Sequence, residues 1–474
     1  MNREPTPGAL PGDGDAAFAL KTGGSGTRTG AQLLARLDRL PAWPYSRHVV
    51  PIVAAILFLA VYDSLAIGYV LPAIEREFGV STSAAAMSIT VNQIGGPIGA
   101  YLLGLAAEYY GRKRMILLST GLYTVGIGAT ALSFNLGWFI FWQFFVGAGI
   151  TGVTVIQSAL VSELAPAKAR GRSEGRVATI GWLAFPLLPI ISMLLIPIPV
   201  WGWRTFYLLG ALAGVITMIW GFSKLPESAR WLVNKGHYRE AEAQLQRSEA
   251  RLRAKGVELP DPVLTQEERP PARFATSALF KRPYRARLAI TFLAWFAFYL
   301  ANKGWATLAP TLLLTQGFTV GKSFGFLFVT NLTYPIGAFV STRIGDRGQR
   351  KWLAFAAAVG WALSFLVMSL FPSGPVIMMI GALGTFFMAF ILVLMYTLTA
   401  ESFPTRARGN GVGLTNGVGH LGGAAAPSLI IGVGVATAGY AGGMLVIVGS
   451  IALTALLMLF MVRATGRPLQ DISQ

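Results

Sequence analysis

Apolar residues in this chain do not recur at a helical or strand period. They fill long blocks, and the polar residues are gathered between the blocks. About 20 consecutive apolar residues are needed to cross a bilayer as a helix. Twelve blocks approach or exceed that length, over residues 49–72, 84–106, 115–134, 137–162, 177–199, 205–223, 288–314, 323–342, 352–371, 375–400, 411–435 and 441–462. Glycine and proline inside them are tolerated, because neighbouring helices and side chains satisfy the freed backbone groups. The pattern predicts an all-α integral membrane protein with twelve transmembrane helices.

Two stretches interrupt the rhythm. Residues 1–46 are Gly-rich and polar and are expected to form a mostly disordered tail, with "AQLLARLDRLP" at 31–41 as a short amphipathic interfacial helix. Residues 224–287 separate six blocks from six. Within them "PESARWLVNKGHYREAEAQLQRSEARLRAKG" reads as a helical stretch stopped by Gly256, and "LPDPVLTQEERPPAR" as a linker. The expected organisation is a tail (1–46), a six-helix bundle (47–223), a helical linker (224–287), a second six-helix bundle (288–463) and a short tail (464–474).

Charge fixes the expected orientation. Only 13% of the 474 residues are charged, against about 25% in a soluble protein, yet the formal net charge is +18. In a soluble chain such an excess points to nucleic acid. Here it falls in every second loop: "GRKR" (111–114), "KARGRSEGR" (168–176), "RIGDRGQRK" (343–351) and "RAR" (406–408), together with 224–287. The opposite connections, "FNLG", "IPIPVWG" and "FPSGP", are nearly uncharged. The positive-inside rule then places the basic loops and both termini in the cytoplasm, in the cytoplasmic membrane, with no nucleic-acid partner. The absence of cysteine excludes disulfides, thiolate metal sites and Cys nucleophiles. No HExxH occurs, and "GFTVGKS" at 317–323 has three residues between its glycines where a phosphate loop needs four. The sequence therefore predicts neither an enzyme nor a bound cofactor or metal.

A repeat runs through both halves. "VSELAPAKARGRSEG" (161–175) and "TAESFPTRARGNGVG" (399–413) match at one offset: 401 − 163 = 238 and 408 − 170 = 238. The same offset relates Glu108 to Asp346, Pro72 to Pro310 and Gly79 to Gly317. Both copies of the basic loops lie on one face, so the halves are parallel repeats. Such halves are related by an axis along the membrane normal, with the site between them near the midplane.

The loop Gly104…Glu108-Tyr-Tyr-Gly111-Arg112-Lys113-Arg114 resembles the signature between spans 2 and 3 of the major facilitator superfamily. "LPESARWL" (225–232) and "GWRTFYLLGAL" (202–212) are similar to its sugar-porter and metabolite:proton symporter branches. "LDRLP…SRH" (37–48), "VYDSLAIGYVLPAI" (61–74) and "ESFPTRARGNGVG" look most like its aromatic-acid and organic-acid:proton symporters. The chain departs from those patterns at four places: Glu108 stands for Asp, Gln143 for the Arg of span 4, Ala60 for a first Asp, and His420 for an Arg of span 11.

Glu163 and Glu401 end spans 4 and 10, and Arg170 and Arg408 follow seven residues later. With Glu108, Arg112, Asp346 and Arg350 they form a candidate cytoplasmic gate, bridging the rims of the two bundles while the cavity faces out. The alternative is that these charges only anchor helix ends at the headgroups, although acids at a basic rim work against simple anchoring.

A charge at the bilayer centre costs about 2.5–3.5 kcal/mol on insertion scales and is rarely idle. Asp63 lies mid-way along span 1, where a carboxylate can carry a proton; a fixed structural pair is the bland alternative. Lys303 lies at similar depth in span 7 and would attract an anion, unless it only snorkels outwards. The expectation is that Asp63 and Lys303 face each other across the cavity. His420 is a proton sensor or a core hydrogen-bonding group. Gln143, Gln157, Asn302, Tyr396 and Asn416 are polar at membrane depth, as are Asn92 and Gln93; Trp295, Tyr299 and Trp305 can stack on an aromatic ring.

The resulting expectation is a monomeric secondary transporter that takes up a small organic anion, aromatic or another carboxylate, with protons by alternating access. A sugar or polyol porter, a drug or metabolite exporter, and a sensor on a transporter fold are the other readings.

Overall fold

The computed structural model describes residues 30–165, 170–262, 276–282, 284–345, 347–403 and 408–461, without the side chains of 170–172, 408 and 409. Among these residues every regular element is helical. The first half contains α2 (Val49–Phe78), α3 (Thr82–Tyr110), α4 (Arg112–Ala131), α5 (Leu136–Leu164), α6 (Arg170–Trp182), α7 (Ala184–Leu195) and α8 (Gly202–Lys224). The second contains α11 (Tyr284–Thr315), α12 (Val320–Asn331), α13 (Thr333–Ile344), α14 (Arg350–Leu370), α15 (Gly374–Glu401), α16 (Arg408–Pro427) and α17 (Ala436–Met458). Before and between them lie α1 (Gly30–Asp38), α9 (Ala229–Asn234) and α10 (Tyr238–Arg253). Eight helices among the described residues are long and apolar enough to cross a membrane. One of these, Asn410–Met458, changes direction at Ala438 and Gly439, the latter with φ 58°. The helices α3, α4 and α11 have 29, 20 and 32 residues but a more polar composition.

The repeat extends from sequence into backbone geometry. Gly79 ends α2 and Gly317 follows α11, both in the left-handed region (φ 61° and 94°) that a side chain would strain. Ser81 and Thr319, again 238 apart, cap α3 and α12 by accepting the N–H groups of Ala84 and Lys322. A Cβ on Gly99 would lie 2.1 Å from the carbonyl oxygen of Ala148, and one on Gly337 would lie 2.2 Å from that of Phe386. Those two contacts are also one offset apart. They bring α3 against α5, and α13 against α15, at the close approach that small residues allow between membrane helices.

The linker is not one helix. Gly236, at φ 77°, turns the chain between α9 and α10. The turn lets both helices close on α1, burying Leu33, Leu37 and Leu40 against Leu232, Val233, Ala241, Leu245 and Leu252. Each fully buried leucine contributes about 1.5–3 kcal/mol. The helix expected at a lipid interface therefore spends its apolar face on α9 and α10 instead. Glu249, only 5% exposed, accepts from Arg36 at 3.0 and 2.9 Å and from Arg39 at 2.8 Å. Burial by itself would raise the Glu249 carboxyl, but the Arg36 and Arg39 guanidinium groups outweigh burial and hold it below the usual carboxylate range.

This three-helix module rests on the basic end of the first half. Glu227 accepts the backbone N–H groups of Arg112 and Lys113 (2.8 and 3.1 Å), an acid at the N-terminus of α4. Burial raises the Glu227 carboxyl, and those N–H groups offset part of that rise. The Trp231 indole donates to the carbonyl of Glu108 at 2.9 Å, and the Lys235 ammonium lies 5.1 Å from the Tyr109 ring centre.

Candidate functional site

The halves meet from mid-helix towards the end opposite the basic loops. A Cβ on Gly68 would lie 1.8 Å from the carbonyl oxygen of Thr307, so α2 and α11 touch backbone to backbone. Thr90 donates to the carbonyl of Ala424 at 2.9 Å, joining α3 to α16. Further along, Phe185 and Tyr334 stack at 3.6 Å and 11°, and the Asn331 amide donates to the carbonyl of Phe185 at 3.2 Å. Towards the basic end the interior opens. Tyr396 is 45% exposed although it packs on Trp295, and Cβ atoms on Gly413 and Gly417 would meet nothing within 4 Å.

Lys303 stands where this opening ends. Its ammonium is half-buried and donates to the Ser64 hydroxyl of the facing half at 2.7 Å. Its stem and the Gln93 amide both lie against Gly423: a Cβ there would be 3.1 Å from Lys303 Cγ and 2.4 Å from Gln93 Nε2. That Gln93 nitrogen is buried without a hydrogen-bond partner, as is Asn302 Nδ2 on α11. Gly423 is thus the notch where the Lys303 stem and the Gln93 amide meet, while the ammonium itself is bonded to the neutral Ser64 hydroxyl.

An aromatic wall continues from Lys303 along α11 and α16. Tyr299 and His420 stack at 4.0 Å, Trp295 and Tyr299 at 5.3 Å, and Trp295 meets Tyr396 edge-on at 4.9 Å. The Asn416 amide donates to the Tyr299 hydroxyl at 3.0 Å, and the Trp295 indole donates to Thr399 at 2.8 Å, which fixes both rings. The structure thus brings Tyr299, Tyr396, Asn416 and His420 together beside Lys303. Trp305 is not with them; it is 1% exposed and packs on Phe365 in the core of the second half. Gln157 is buried on α5.

Asp63 and Lys303 do not face each other. Successive residues on a helix point about 100° apart, so Ser64 meets Lys303 while Asp63 turns into the first half. There the carboxylate is 2% exposed, and both oxygens lack a hydrogen-bond partner. Its neighbours are phenols: Tyr62, Tyr123 and Tyr207 lie within its electrostatic reach, and among the described residues no cationic side chain does. Gln143 links this region to α3, accepting from Asn92 at 3.0 Å and donating to Tyr207 at 3.4 Å. The tyrosines and Ser64 carried no signal in the sequence, because hydroxyls in apolar runs are common and their facing partner is a matter of packing.

The rim charges pair within halves. Arg112 donates to Glu163 at 3.0 and 3.1 Å, and Arg350 pairs with Glu401. In each half the other carboxylate oxygen is buried without a partner. In this conformation, open at the basic end, each of these two pairs fastens the start of one helix to the end of another in the same bundle. Glu108 is exposed, and it is Glu227 that accepts at the start of α4. Asp346 and the side chains of Arg170 and Arg408 lie outside the described residues.

Comparison with known proteins agrees with this architecture. The chain is 27% identical over 431 residues to the putative metabolite transport protein YyaJ of Bacillus subtilis, covering 90% of this chain and 94% of that one. It is 26% identical over 412 residues to the niacin transporter NiaP of Acinetobacter baylyi, covering 86% and 92%. A crystal structure of a D-xylose–proton symporter shares the fold, with a TM-score of 0.67 at 17% identity over 88% of this chain and 98% of the other. The sequence profile of the family described as Major Facilitator Superfamily matches residues 53–427 and 322–471. An all-helical chain of two matching halves, with a polar site where they meet, belongs to the Major Facilitator Superfamily of membrane transporters.

Proposed function

We propose that this protein carries a small aromatic carboxylate together with a proton, by alternating access between its two halves. The observation that carries this reading is the Lys303 ammonium, held at the junction of the halves by a neutral hydroxyl, with the unpartnered Gln93 amide against the same glycine as its stem. A cation at this depth without a counter-charge is costly unless an anion completes it. A carboxylate on Lys303 and Gln93 would extend its ring along Tyr299 and His420, whose stack supports an aromatic substrate over a sugar. The name of the niacin transporter fits the same chemistry, since niacin is an aromatic ring bearing one carboxylate.

In this reading the chain crosses the membrane twelve times: the eight apolar helices, α3, α4 and α11, and the second pass gained at the break by Gly439. The basic end faces the cytoplasm, and the conformation described above is open to that side. Asp63 is the proton carrier. It sits one residue from Ser64, so movement of α2 that accompanies its protonation reaches the hydroxyl that holds Lys303.

The test is uptake into proteoliposomes of labelled niacin, benzoate and xylose, with and without an imposed proton gradient. Gradient-driven accumulation of the aromatic acids, lost about tenfold or more in Lys303→Gln, is expected. Accumulation of xylose in preference to the acids, or unchanged acid uptake in Lys303→Gln, would overturn it.

A further inference from the structure

The chain enters its two halves in different ways. Before α2, Trp43 and Tyr45 meet edge-on with ring centres 5.5 Å apart, and Tyr45 is 5% exposed. The Tyr45 hydroxyl accepts from the Gln244 amide of α10 at 3.4 Å, so the linker module covers this entry. Arg285 stands one offset from Arg47, in the corresponding entry to α11 (285 − 47 = 238). There a 3₁₀ turn over Thr276–Phe280 precedes the helix. Leu279 is fully buried against Leu288 and Phe403, and the Asn410 amide donates to the Thr276 hydroxyl at 3.1 Å. The turn is thereby tied to α11, to the chain just beyond α15 and to the first turn of α16.

Fixing Leu279 inwards turns its neighbour out. Phe280 is 60% exposed, and Lys281, Arg282 and Arg285 beside it are exposed as well. Among the described residues no acidic side chain pairs with any of these three; Glu401, at the end of α15, is bonded to Arg350. Sequence neighbours do not neutralise them either, since no Asp or Glu occurs between Glu268 and Asp346. The apolar block that crosses the membrane begins at Leu288, about 4.5 Å of helix beyond Arg285. The patch therefore lies at headgroup depth, where aromatic rings settle and basic residues are drawn to anionic lipids. Marking the orientation of a span needs charge alone. An outward ring fixed beside three unneutralised cations goes further: it offers an apolar contact next to donors for a phosphate.

We propose that Phe280, Lys281, Arg282 and Arg285 form a binding site for an anionic phospholipid, its phosphate on the basic side chains and its acyl end against the ring. Charge complementarity names the occupant, and the contrast between the halves shows the place for it. The entry to the first half is covered by α10, whereas the entry to the second leaves Phe280 open beside its cations. A lipid bound there holds the start of α11, the helix that carries Lys303, at the headgroup layer. The site is independent of what the central site carries.

The test is native mass spectrometry of the purified full-length chain in detergent, titrated with phosphatidylglycerol or with phosphatidylcholine. The first phosphatidylglycerol is expected to bind about tenfold or more tighter than the first phosphatidylcholine. Replacing Lys281, Arg282 and Arg285 together by Gln should remove that preference. Replacing the exposed Arg239, Arg247 and Arg251 of α10 by Gln removes the same charge elsewhere and should leave it. Phe280→Ser keeps the charge and should weaken binding about threefold or more. If the triple variant at the turn does not fold, Arg285→Gln and Phe280→Ser decide, each read against the α10 variant. Equal affinities for the two lipids, or equal losses in the two triple variants, would overturn the site. A preference for phosphatidylglycerol that emerges only when Glu267→Gln and Glu268→Gln are combined would also overturn it, and would give the patch to the acidic stretch of chain that precedes it.

Discussion

At the basic end, the first half joins Arg112 to Glu163 and the second joins Arg350 to Glu401, at positions one repeat apart. The glycine contacts at Gly99 and Gly337 are duplicated in the same register. At mid-depth the correspondence stops. Asp63 has Ala301 as its counterpart, and Lys303 has Leu65. One half buries a lone acid and the other presents a lone base, so the packing is repeated while charge is divided by sign. Packing is repeated because two bundles of one fold face the same steric problem. A carrier that rocks one half against the other needs different chemistry on each side, so that relative movement changes which groups meet.

The comparison breaks most severely through the glycines. Gly99→Leu and Gly337→Leu each drive a side chain into a backbone carbonyl that no rotamer can avoid. Each should cost about 4 kcal/mol or more and abolish the monodisperse protein in fluorescence-detected size exclusion. If one half tolerates its leucine, the two close approaches are not equivalent.

Asp63→Asn should leave substrate exchange intact and reduce gradient-driven accumulation about tenfold or more in proteoliposomes. Ala301→Asp, which places an acid in the other half, should not restore it. Restoration would mean that the division of charge between halves is irrelevant to coupling.

Smaller effects belong to the rim. Glu163→Gln and Glu401→Gln should each loosen the bundle that contains it and shift the balance of open ends by about 1 kcal/mol. The natural absence of cysteine makes this measurable by labelling single cysteines introduced at either end. Shifts of equal size would sharpen the equivalence of the halves; a shift in one alone would limit the gate to that half.

The smallest expected effect concerns the linker module, which rests on the first half. The folded-state value of Glu249 is held low, so the docking of α1 is fully stabilised above the ordinary carboxylate range. That stabilisation is lost as the pH falls through the folded value. About 1–2 kcal/mol is at stake. Disulfide trapping between cysteines placed in α1 and α10 should fall off in acid, and the fall should be absent in Glu249→Gln.

Much of the architecture was legible because a bilayer imposes a crude rule: block length and loop charge suffice to mark membrane helices and the basic end. The 238-residue register likewise marked Glu163 and Glu401, and the basic loops marked Arg112 and Arg350. Asp63, Lys303 and His420 stood out because ionisable residues at depth are few. What each of them touches was not legible. Whether Arg112 bonds Glu163 of its own bundle or an acid of the other depends on how far the bundles stand apart. The splitting of the linker at Gly236 and the capture of α1 depended on a partner surface more than 200 residues away in sequence. The orientation of Asp63 was decided by a rotation of about 100° between neighbours on one helix, which turned it to the tyrosines and left Ser64 to meet Lys303. Sequence by itself determined which residues lie at which depth, since depth follows from counting along a helix. Only the tertiary structure decided which of them meet, because azimuth and helix separation are set by side-chain packing between segments that the chain order does not bring together.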